Sequence, residues 1–262
     1  MDLGIAGRNA LVTGGSLGIG RAVALELAAN GVNVAISARN PDRLADVARE
    51  LTSNTGGRVV AVPGDMSKPE DIARVMAETG AALGDIDILV NNAGSSPAGR
   101  LQDLDDETWY AAFELKFMGY MRCARAVAPH MRARKWGRIV NIIGAGGPNP
   151  SAGYILGGSF NAALLNFTRA LAKDCAPDNV LVNGVNPGAT DTPRWKSLVE
   201  QNARISGKSE AEISAQSVAN VPLGRPARPD EIADVTAFLC SERASHMAGA
   251  LLNVDGGSSG GL

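Results

Sequence analysis

Residues 10–20 read Ala-Leu-Val-Thr-Gly-Gly-Ser-Leu-Gly-Ile-Gly, an apolar run that leads directly into a glycine-rich turn. The run predicts a strand at 10–13, and the apolar spacing after the turn predicts a helix at 20–30. Glycine permits a tight backbone turn, and the free N–H groups at the start of a helix attract a diphosphate. The turn therefore predicts a dinucleotide-binding site. Its expected members are Gly14, Ser16, Leu17, Gly18, Ile19 and Gly20.

The rest of the chain alternates short β-branched runs with longer amphipathic segments. Six further strands are predicted, at 32–38, 58–62, 86–91, 137–143, 180–186 and 250–254. Helices are predicted at 41–52, 69–83, 106–134, 154–175 and 230–241. Such alternation gives parallel strands with crossover helices on both faces. We therefore expect an α/β fold, a Rossmann-type doubly wound parallel sheet, as one domain over residues 1–262.

One segment, 192–221, is long, mostly polar and predicted to be irregular. Segments of this length between elements are usually functional or disordered, so we expect a substrate-binding loop or lid here. Arg194, Trp195 and Lys196 lie where it begins. They either attract an anionic or aromatic substrate or are simply solvated.

Composition excludes several classes of protein. The chain has 262 residues, of which 45% are hydrophobic, and a net charge of −2, so we expect no nucleic-acid partner. No signal peptide or membrane-spanning run is found, so we expect no membrane partner. The dispersed Cys123, Cys175 and Cys240 predict buried free thiols and a cytoplasmic protein. His130 and His246 have no metal-ligand spacing, and we expect no metal.

Five motifs occur in one order that resembles the short-chain dehydrogenase/reductase superfamily. They are Thr13, Gly14, Gly18 and Gly20; Asp65 before Met66; Asn91–Gly94; Pro187, Gly188 and Thr192; and 222–225 with 254–257. The resemblance implies a small-molecule substrate and a homotetramer or homodimer. It also implies further cofactor-binding residues. These are Asp65, Met66, Asn92, Ala93, Gly94, Pro187, Gly188, Thr190 and Thr192.

The end of the second predicted strand bears on the choice of nucleotide. NAD-binding members place an acid there for the ribose 2′-hydroxyl, whereas this chain has Ser37-Ala38-Arg39. A guanidinium at Arg39 can pair with a 2′-phosphate, although the alternative is a solvated loop arginine. We therefore expect NADP(H) to be preferred over NAD(H).

The catalytic positions depart from the family pattern. The resemblance implies a Tyr that transfers the proton, a Lys four residues later, an upstream Ser and an Asn in the preceding long helix. Aligning residues 161–172 puts Asn161 at the Lys position, Gly157 at the Tyr position and Gly144 at the Ser position. Lys116 takes the Asn position, so all four usual residues are replaced.

A reciprocal exchange suggests that the chemistry is displaced rather than lost. Lys116 stands where the family has Asn, and Asn161 stands where it has Lys. The resemblance implies that these two positions lie close together in the fold. Tyr154 lies seven residues before Asn161, a spacing that resembles the enoyl reductase branch of the superfamily. The candidate catalytic residues are therefore Tyr154, Lys116 and Asn161. The alternative is that Tyr154 is a pocket wall and Lys116 a structural cation. Gly157 leaves room either for a packed helix or for a bulky substrate.

The leading hypothesis is an NADP(H)-dependent oxidoreductase acting on a small organic carbonyl, alcohol or activated alkene through a non-standard proton donor. A cofactor-binding pseudoenzyme with a regulatory or scaffolding role is a second hypothesis. A lyase or isomerase on the same fold is a third.

Overall fold

All seven strands that the sequence predicts form in the computed structural model, which describes residues 2–259. They span Asn9–Thr13 (β1), Asn33–Ser37 (β2), Val59–Ala61 (β3), Ile88–Asn91 (β4), Gly137–Ile142 (β5), Val180–Pro187 (β6) and Leu251–Val254 (β7). Every pairing is parallel, in the order β3-β2-β1-β4-β5-β6-β7. The order reverses direction between β1 and β4, and open parallel sheets bind ligands at such a point.

Nine α-helices form within residues 2–259. They span Gly18–Ala29 (α1), Pro41–Thr55 (α2), Pro69–Leu83 (α3), Asp106–Ala112 (α4), Gly119–Ala133 (α5), Ile155–Cys175 (α6), Pro193–Ser206 (α7), Glu210–Ala219 (α8) and Pro229–Cys240 (α9). Adjacent residues of β1 face opposite layers, because side chains alternate along a strand. Val12 packs in the layer that contains Val23 of α1 and Ile232 of α9. Leu11 packs in the layer that contains Val127 of α5. The predicted single-domain, doubly wound fold is confirmed.

The buried thiols predicted from the sequence are present. Cys123, Cys175 and Cys240 are all free and buried. None of the helices in residues 2–259 combines the length and apolarity needed to span a membrane. The same residues contain no group of three or more His, Cys, Asp or Glu side chains placed to hold a metal ion.

The single helix predicted at 106–134 is wrong in its middle. A π-helical turn, Phe113–Met118, separates α4 from α5. The π-helical turn ends where α5 begins. The start of α5 lies close to the main chain of Met66, because a Cβ at Gly119 would lie only 2.7 Å from the Met66 carbonyl oxygen. Lys116 is the buried residue of this turn. Such turns often occur at functional sites.

The irregular structure predicted at 192–221 is also wrong, because α7 and α8 occupy most of the segment. The Thr192 side chain caps α7 by accepting from the Trp195 N–H, and Ser209 with Glu212 forms a capping box at α8. Val199 of α7 and Ile213 of α8 bury against each other. Caps and a small apolar cluster thus outweigh the polar composition that predicted a loop.

Candidate active site

A cleft of about 320 Å³ lies where the carboxyl ends of β1, β4, β5 and β6 meet. Nine of the predicted cofactor-binding residues line it, namely Gly14, Leu17, Gly18, Ile19, Asn92, Ala93, Gly94, Pro187 and Thr192. A second cleft of about 390 Å³ shares part of this lining and adds Gly188 and Thr190. Lys116 and Tyr154 line the first cleft, and Asn161 lines the second.

The glycine turn has the geometry that a closely approaching ligand requires. Gly14 and Gly18 have φ values of +67° and +54°, a region that disfavours residues with a Cβ. A Cβ at Gly20 would lie 2.3 Å from the carbonyl oxygen of Gly14, so α1 packs against the turn only because Gly20 lacks one. Helix α1 begins at Gly18, two residues earlier than predicted, and the preceding Leu17 provides no side-chain cap. The first N–H groups of α1 therefore remain available to an anion.

Asn92 fixes the glycine turn against the end of β4. Its Nδ2 donates hydrogen bonds to the carbonyl oxygens of Thr13 and Gly14, at 3.0 and 3.2 Å. In return, Thr13 Oγ1 accepts from the N–H groups of Asn92 and Ala93, at 3.0 and 3.1 Å. These hydrogen bonds fix the ends of β1 and β4 relative to each other, at the point where the strand order reverses.

Five predicted cofactor-binding residues line neither cleft, and these are Ser16, Gly20, Arg39, Asp65 and Met66. Arg39 is exposed just beyond β2. Asp65 Oδ1 accepts from the N–H and hydroxyl of Ser67, at 3.0 and 2.8 Å. The Met66 side chain is buried in the core, so only the main chain of Met66 is free to contact a ligand.

Lys116 and Asn161 meet, as the reciprocal exchange predicts. Lys116 Nζ donates a 2.6 Å hydrogen bond to Asn161 Oδ1 and a 2.7 Å hydrogen bond to the carbonyl oxygen of Ile143. The contact joins the π-helical turn to α6 across the end of β5. The Lys116 stem passes close to Gly94, where a Cβ would lie 3.1 Å from Lys116 Cδ. A larger residue at 94 would displace this lysine.

The surroundings of Lys116 alter its acidity. Its side chain is buried, and burial, followed by the positive charge of Arg194, lowers the pKa of Lys116 to about 7. An ordinary lysine stays charged well above neutral pH, whereas a group with this pKa exchanges its proton near pH 7. Neutral partners hold Lys116, since a backbone carbonyl and an amide oxygen accept its two hydrogen bonds.

Tyr154 lies just before α6, with φ −139° and ψ 38°, whereas the predicted helix begins at this residue. Its ring covers Gly157, where a Cβ would lie 2.1 Å from the ring carbon Cζ and 2.5 Å from the hydroxyl oxygen. The space that we expected a packed helix or a substrate to fill is therefore taken by Tyr154. Within residues 2–259, Lys116 Nζ and Tyr154 share the cleft without a direct hydrogen bond.

Sequence reasoning missed Ser96 and Tyr120 and left Arg194 as a choice between a functional and a solvated cation. Arg194 Nη2 donates to the carbonyl oxygen of Ser96, and both residues line the first cleft. Tyr120 donates a 2.8 Å hydrogen bond to the carbonyl oxygen of Ile142, and burial raises its pKa. Tyr120 therefore stays a neutral phenol. Tyr120 lies four residues after Lys116, a spacing that brings two side chains to one face of a helix.

Comparisons with known proteins agree with this geometry. A family model described as enoyl-(acyl carrier protein) reductase matches residues 14–259. A 3-oxoacyl-[acyl-carrier-protein] reductase of Aquifex aeolicus is 34% identical over 257 residues, which are 98% of this chain and 99% of that protein. The solved structure of L-sorbose reductase from Gluconobacter frateurii, complexed with NADPH and L-sorbose, is similar with a TM-score of 0.93 and 36% identity over 100% of both chains. An NAD+-bound xylitol dehydrogenase structure is similar with a TM-score of 0.92 and 27% identity over 97% of this chain and 99% of that one.

Proposed function

The chain belongs to the short-chain dehydrogenase/reductase superfamily and is an oxidoreductase, and on this premise we propose that it uses NADP(H). The substrate in this proposal is a small organic carbonyl, alcohol or activated alkene. Tyr154, Lys116 and Asn161 replace the usual Asn-Ser-Tyr-Lys set. The proposal rests above all on the buried contact between Lys116 and Asn161 beside the glycine turn.

The residues around the turn fit a dinucleotide. The positive φ angles of Gly14 and Gly18 and the uncapped start of α1 support a diphosphate at the turn. We assign the nicotinamide end to the side of Pro187 and Thr192, and the adenine end to the side of Asp65. When bound, the nucleotide supplies or accepts the hydride, and the chain must orient the substrate and manage one proton.

The preference for NADP(H) rests on Arg39. This residue follows β2, and the structure leaves it exposed without an ion pair among residues 2–259. A guanidinium in that position is free to make a charge-assisted, bidentate contact with a 2′-phosphate. The NADPH complex of the similar L-sorbose reductase supports this choice, whereas the NAD+-bound xylitol dehydrogenase indicates that the fold accepts either nucleotide.

The proton is managed by Tyr154 and Lys116 acting together. In carbonyl reduction the substrate carbon gains the hydride, and its oxygen gains a proton from the Tyr154 phenol. The Lys116 ammonium has a third N–H beyond the two that Ile143 and Asn161 accept, and its charge stabilises the phenolate left on Tyr154. Alcohol oxidation runs the same transfers in reverse. Asn161 is a positioning residue in this scheme, because it acts through Lys116.

The proposal is tested by NADPH oxidation with a panel of ketones, aldehydes and enones. Tyr154→Phe removes the proton donor and is expected to lower kcat by about 10²–10⁴-fold while leaving the Kd for NADPH unchanged. Tyr110→Phe is the matched control, because Tyr110 is 69% exposed and lies outside both clefts. Full activity in Tyr154→Phe would contradict the proposed donor. NADPH binding without turnover of any substrate would favour the pseudoenzyme.

We also propose that the enzyme works in the cytoplasm as a homotetramer or homodimer, without a nucleic-acid, membrane or metal partner. Residues 192–221, which contain α7 and α8, form the wall over the substrate. Size-exclusion chromatography with light scattering measures the oligomeric state. A monomeric mass would contradict the proposed homotetramer or homodimer.

A further inference from the structure

Among residues 2–259, the charged side chains that line the two clefts of the candidate active site are all positive. Lys116 and Arg194 line the first cleft, and Arg194 also lines the second. Among residues 2–259, no Asp or Glu lines either cleft. The positive charge of Arg194 contributes to the lowered pKa of Lys116, so the two cations act on each other in one compartment. Close cations without a carboxylate favour an anion between or beside them.

Arg194 differs from the other cations of α7. Lys196 lies 3.5 Å from Asp191, and Arg204 lies 4.0 Å from Glu200, so each has an acidic neighbour. Arg194 is half-buried and has no such neighbour among residues 2–259. Its one hydrogen bond in that range, from Nη2 to the Ser96 carbonyl oxygen, orients the guanidinium and leaves the other N–H groups available.

Ser96 adds a second observation at the same place. The residue is 2% exposed and lines the first cleft, and its hydroxyl has no hydrogen-bond partner among residues 2–259. A buried hydroxyl without a partner costs free energy, and a ligand in the cleft that accepts its hydrogen bond would remove that cost. Beside Arg194, this hydroxyl is a donor for an anionic oxygen. The neighbouring walls are apolar, with Leu198 and Ile143 in the lining.

From these contacts we infer that the substrate carries a carboxylate, and that Arg194 and Ser96 bind it. The inference rests on the proposed function, and it names the substrate class as a small keto acid or the corresponding hydroxy acid with an apolar body. Arg194 is then a specificity-determining residue. The planar guanidinium matches a carboxylate through two parallel hydrogen bonds, and the apolar walls receive the rest of the molecule.

The test compares keto acids with their methyl esters. The probes are phenylglyoxylate, 3-benzoylpropanoate and levulinate, each with its ester, titrated by calorimetry into protein saturated with NADP+. NADP+ cannot reduce a ketone, so the titration measures binding alone. We expect at least one acid to bind about 10- to 100-fold more tightly than its ester. Acids that all bind no better than their esters would overturn the inference.

Arg194→Met is the decisive variant. It is expected to remove the advantage of the acid over the ester and to leave the Kd for NADPH within about twofold, since the contact is to the substrate. Ser96→Ala should reduce the same advantage more weakly. Arg204→Met is the control, because this cation lies on the same helix but outside both clefts. A loss of NADPH affinity in Arg194→Met with an unchanged ratio of acid to ester would assign Arg194 to the nucleotide and overturn the inference.

The outcome separates this inference from the proposed function. If an acid binds selectively but no compound of the panel oxidises NADPH, the carboxylate site is supported and the proposed proton donors are contradicted. Equal values of kcat/KM for acid and ester in NADPH oxidation would support the oxidoreductase and overturn the carboxylate site.

Discussion

Two parts of the candidate active site, the glycine turn and the group formed by Lys116, Asn161 and Tyr154, are built in different ways. The turn is defined by main-chain geometry, with positive φ at Gly14 and Gly18 and no space for a Cβ at Gly20. The second part is defined by side chains that come from separate elements, as Lys116 and Asn161 do. Backbone geometry tolerates few residue types, whereas a side-chain centre can be rebuilt from neighbouring positions.

The position of the Tyr154 ring depends on the absence of a side chain at Gly157. A Cβ at Gly157 would lie 2.1 Å from Tyr154 Cζ, so Gly157→Ala forces the ring to move. A displacement of about 1 Å in a reacting group costs about 10²-fold in rate, and we expect that loss in kcat. NADPH affinity, which depends on the glycine turn, should be unchanged. The measurement is NADPH oxidation together with calorimetric titration of NADPH.

Gly153→Ala is the matched control for that substitution. A Cβ at Gly153 would meet no atom within 4 Å, although the residue is next to Tyr154 in sequence. We expect it to keep full activity. Equal losses in Gly153→Ala and Gly157→Ala would show that the ring position is not what matters.

Arg39 gives the corresponding test on the nucleotide side. A charge-assisted, bidentate contact with a 2′-phosphate is worth about 1.5–3 kcal/mol. Arg39→Ala should therefore weaken NADPH binding by about 10- to 100-fold and leave NADH binding nearly unchanged. Calorimetric titration of both nucleotides measures this, with Arg43→Ala, also exposed, as the control. Equal affinity of the unmodified protein for NADPH and NADH would contradict the preference.

The pH dependence of ketone reduction reports on Lys116. With its pKa lowered to about 7, the ammonium that supports proton donation is present below pH 7 and lost above it. Reduction should therefore slow as the pH rises through about 7. In Lys116→Asn this basic limb is expected to move to higher pH, while the maximal rate falls. An identical limb in the variant would assign it to another group.

A further expected effect is on the pH dependence of stability. Because the folded-state pKa of Lys116 is lowered, the unfolded chain binds more protons than the folded chain between about pH 7 and its ordinary value. This residue therefore makes the free energy of unfolding rise with pH over that range. Lys116→Met should remove that rise. Urea unfolding at pH 6.5 and pH 9 measures it, and the same slope in both proteins would contradict the assigned titration.

The sequence predicts the nucleotide side of the molecule more completely than the catalytic side. The strand ending at Thr13 and the glycine turn follow local rules, and the structure has them where the sequence indicates. The approach of Lys116 to Asn161 was also expected, because both positions were mapped onto one family pattern. The π-helical turn was not expected, since it depends on contacts with Ile143 and with α6 that are distant in sequence. The helices of 193–219 were missed because their caps were not weighed against a polar composition.

Neither the unpartnered hydroxyl of Ser96 nor the exact position of Tyr154 could be predicted from the sequence, because both depend on how the chain folds. An unpartnered buried hydroxyl is a property of the surroundings, which no local pattern of residues records. Tyr154 was identified as a candidate by spacing, but the spacing alone placed it inside a helix. Its backbone at φ −139° turns the ring over Gly157 instead.

The proposed joint action of Tyr154 and Lys116 is tested most directly by a double-mutant cycle on NADPH oxidation. The four proteins are the unmodified enzyme, Tyr154→Phe, Lys116→Asn and the double variant, each saturated with NADPH. Residues that act as one unit are not additive, so the double variant should be little slower than the slower single variant. Losses that multiply, with the double variant slower than the unmodified enzyme by the product of the two single losses, would show that the two residues act independently and would contradict the mechanism.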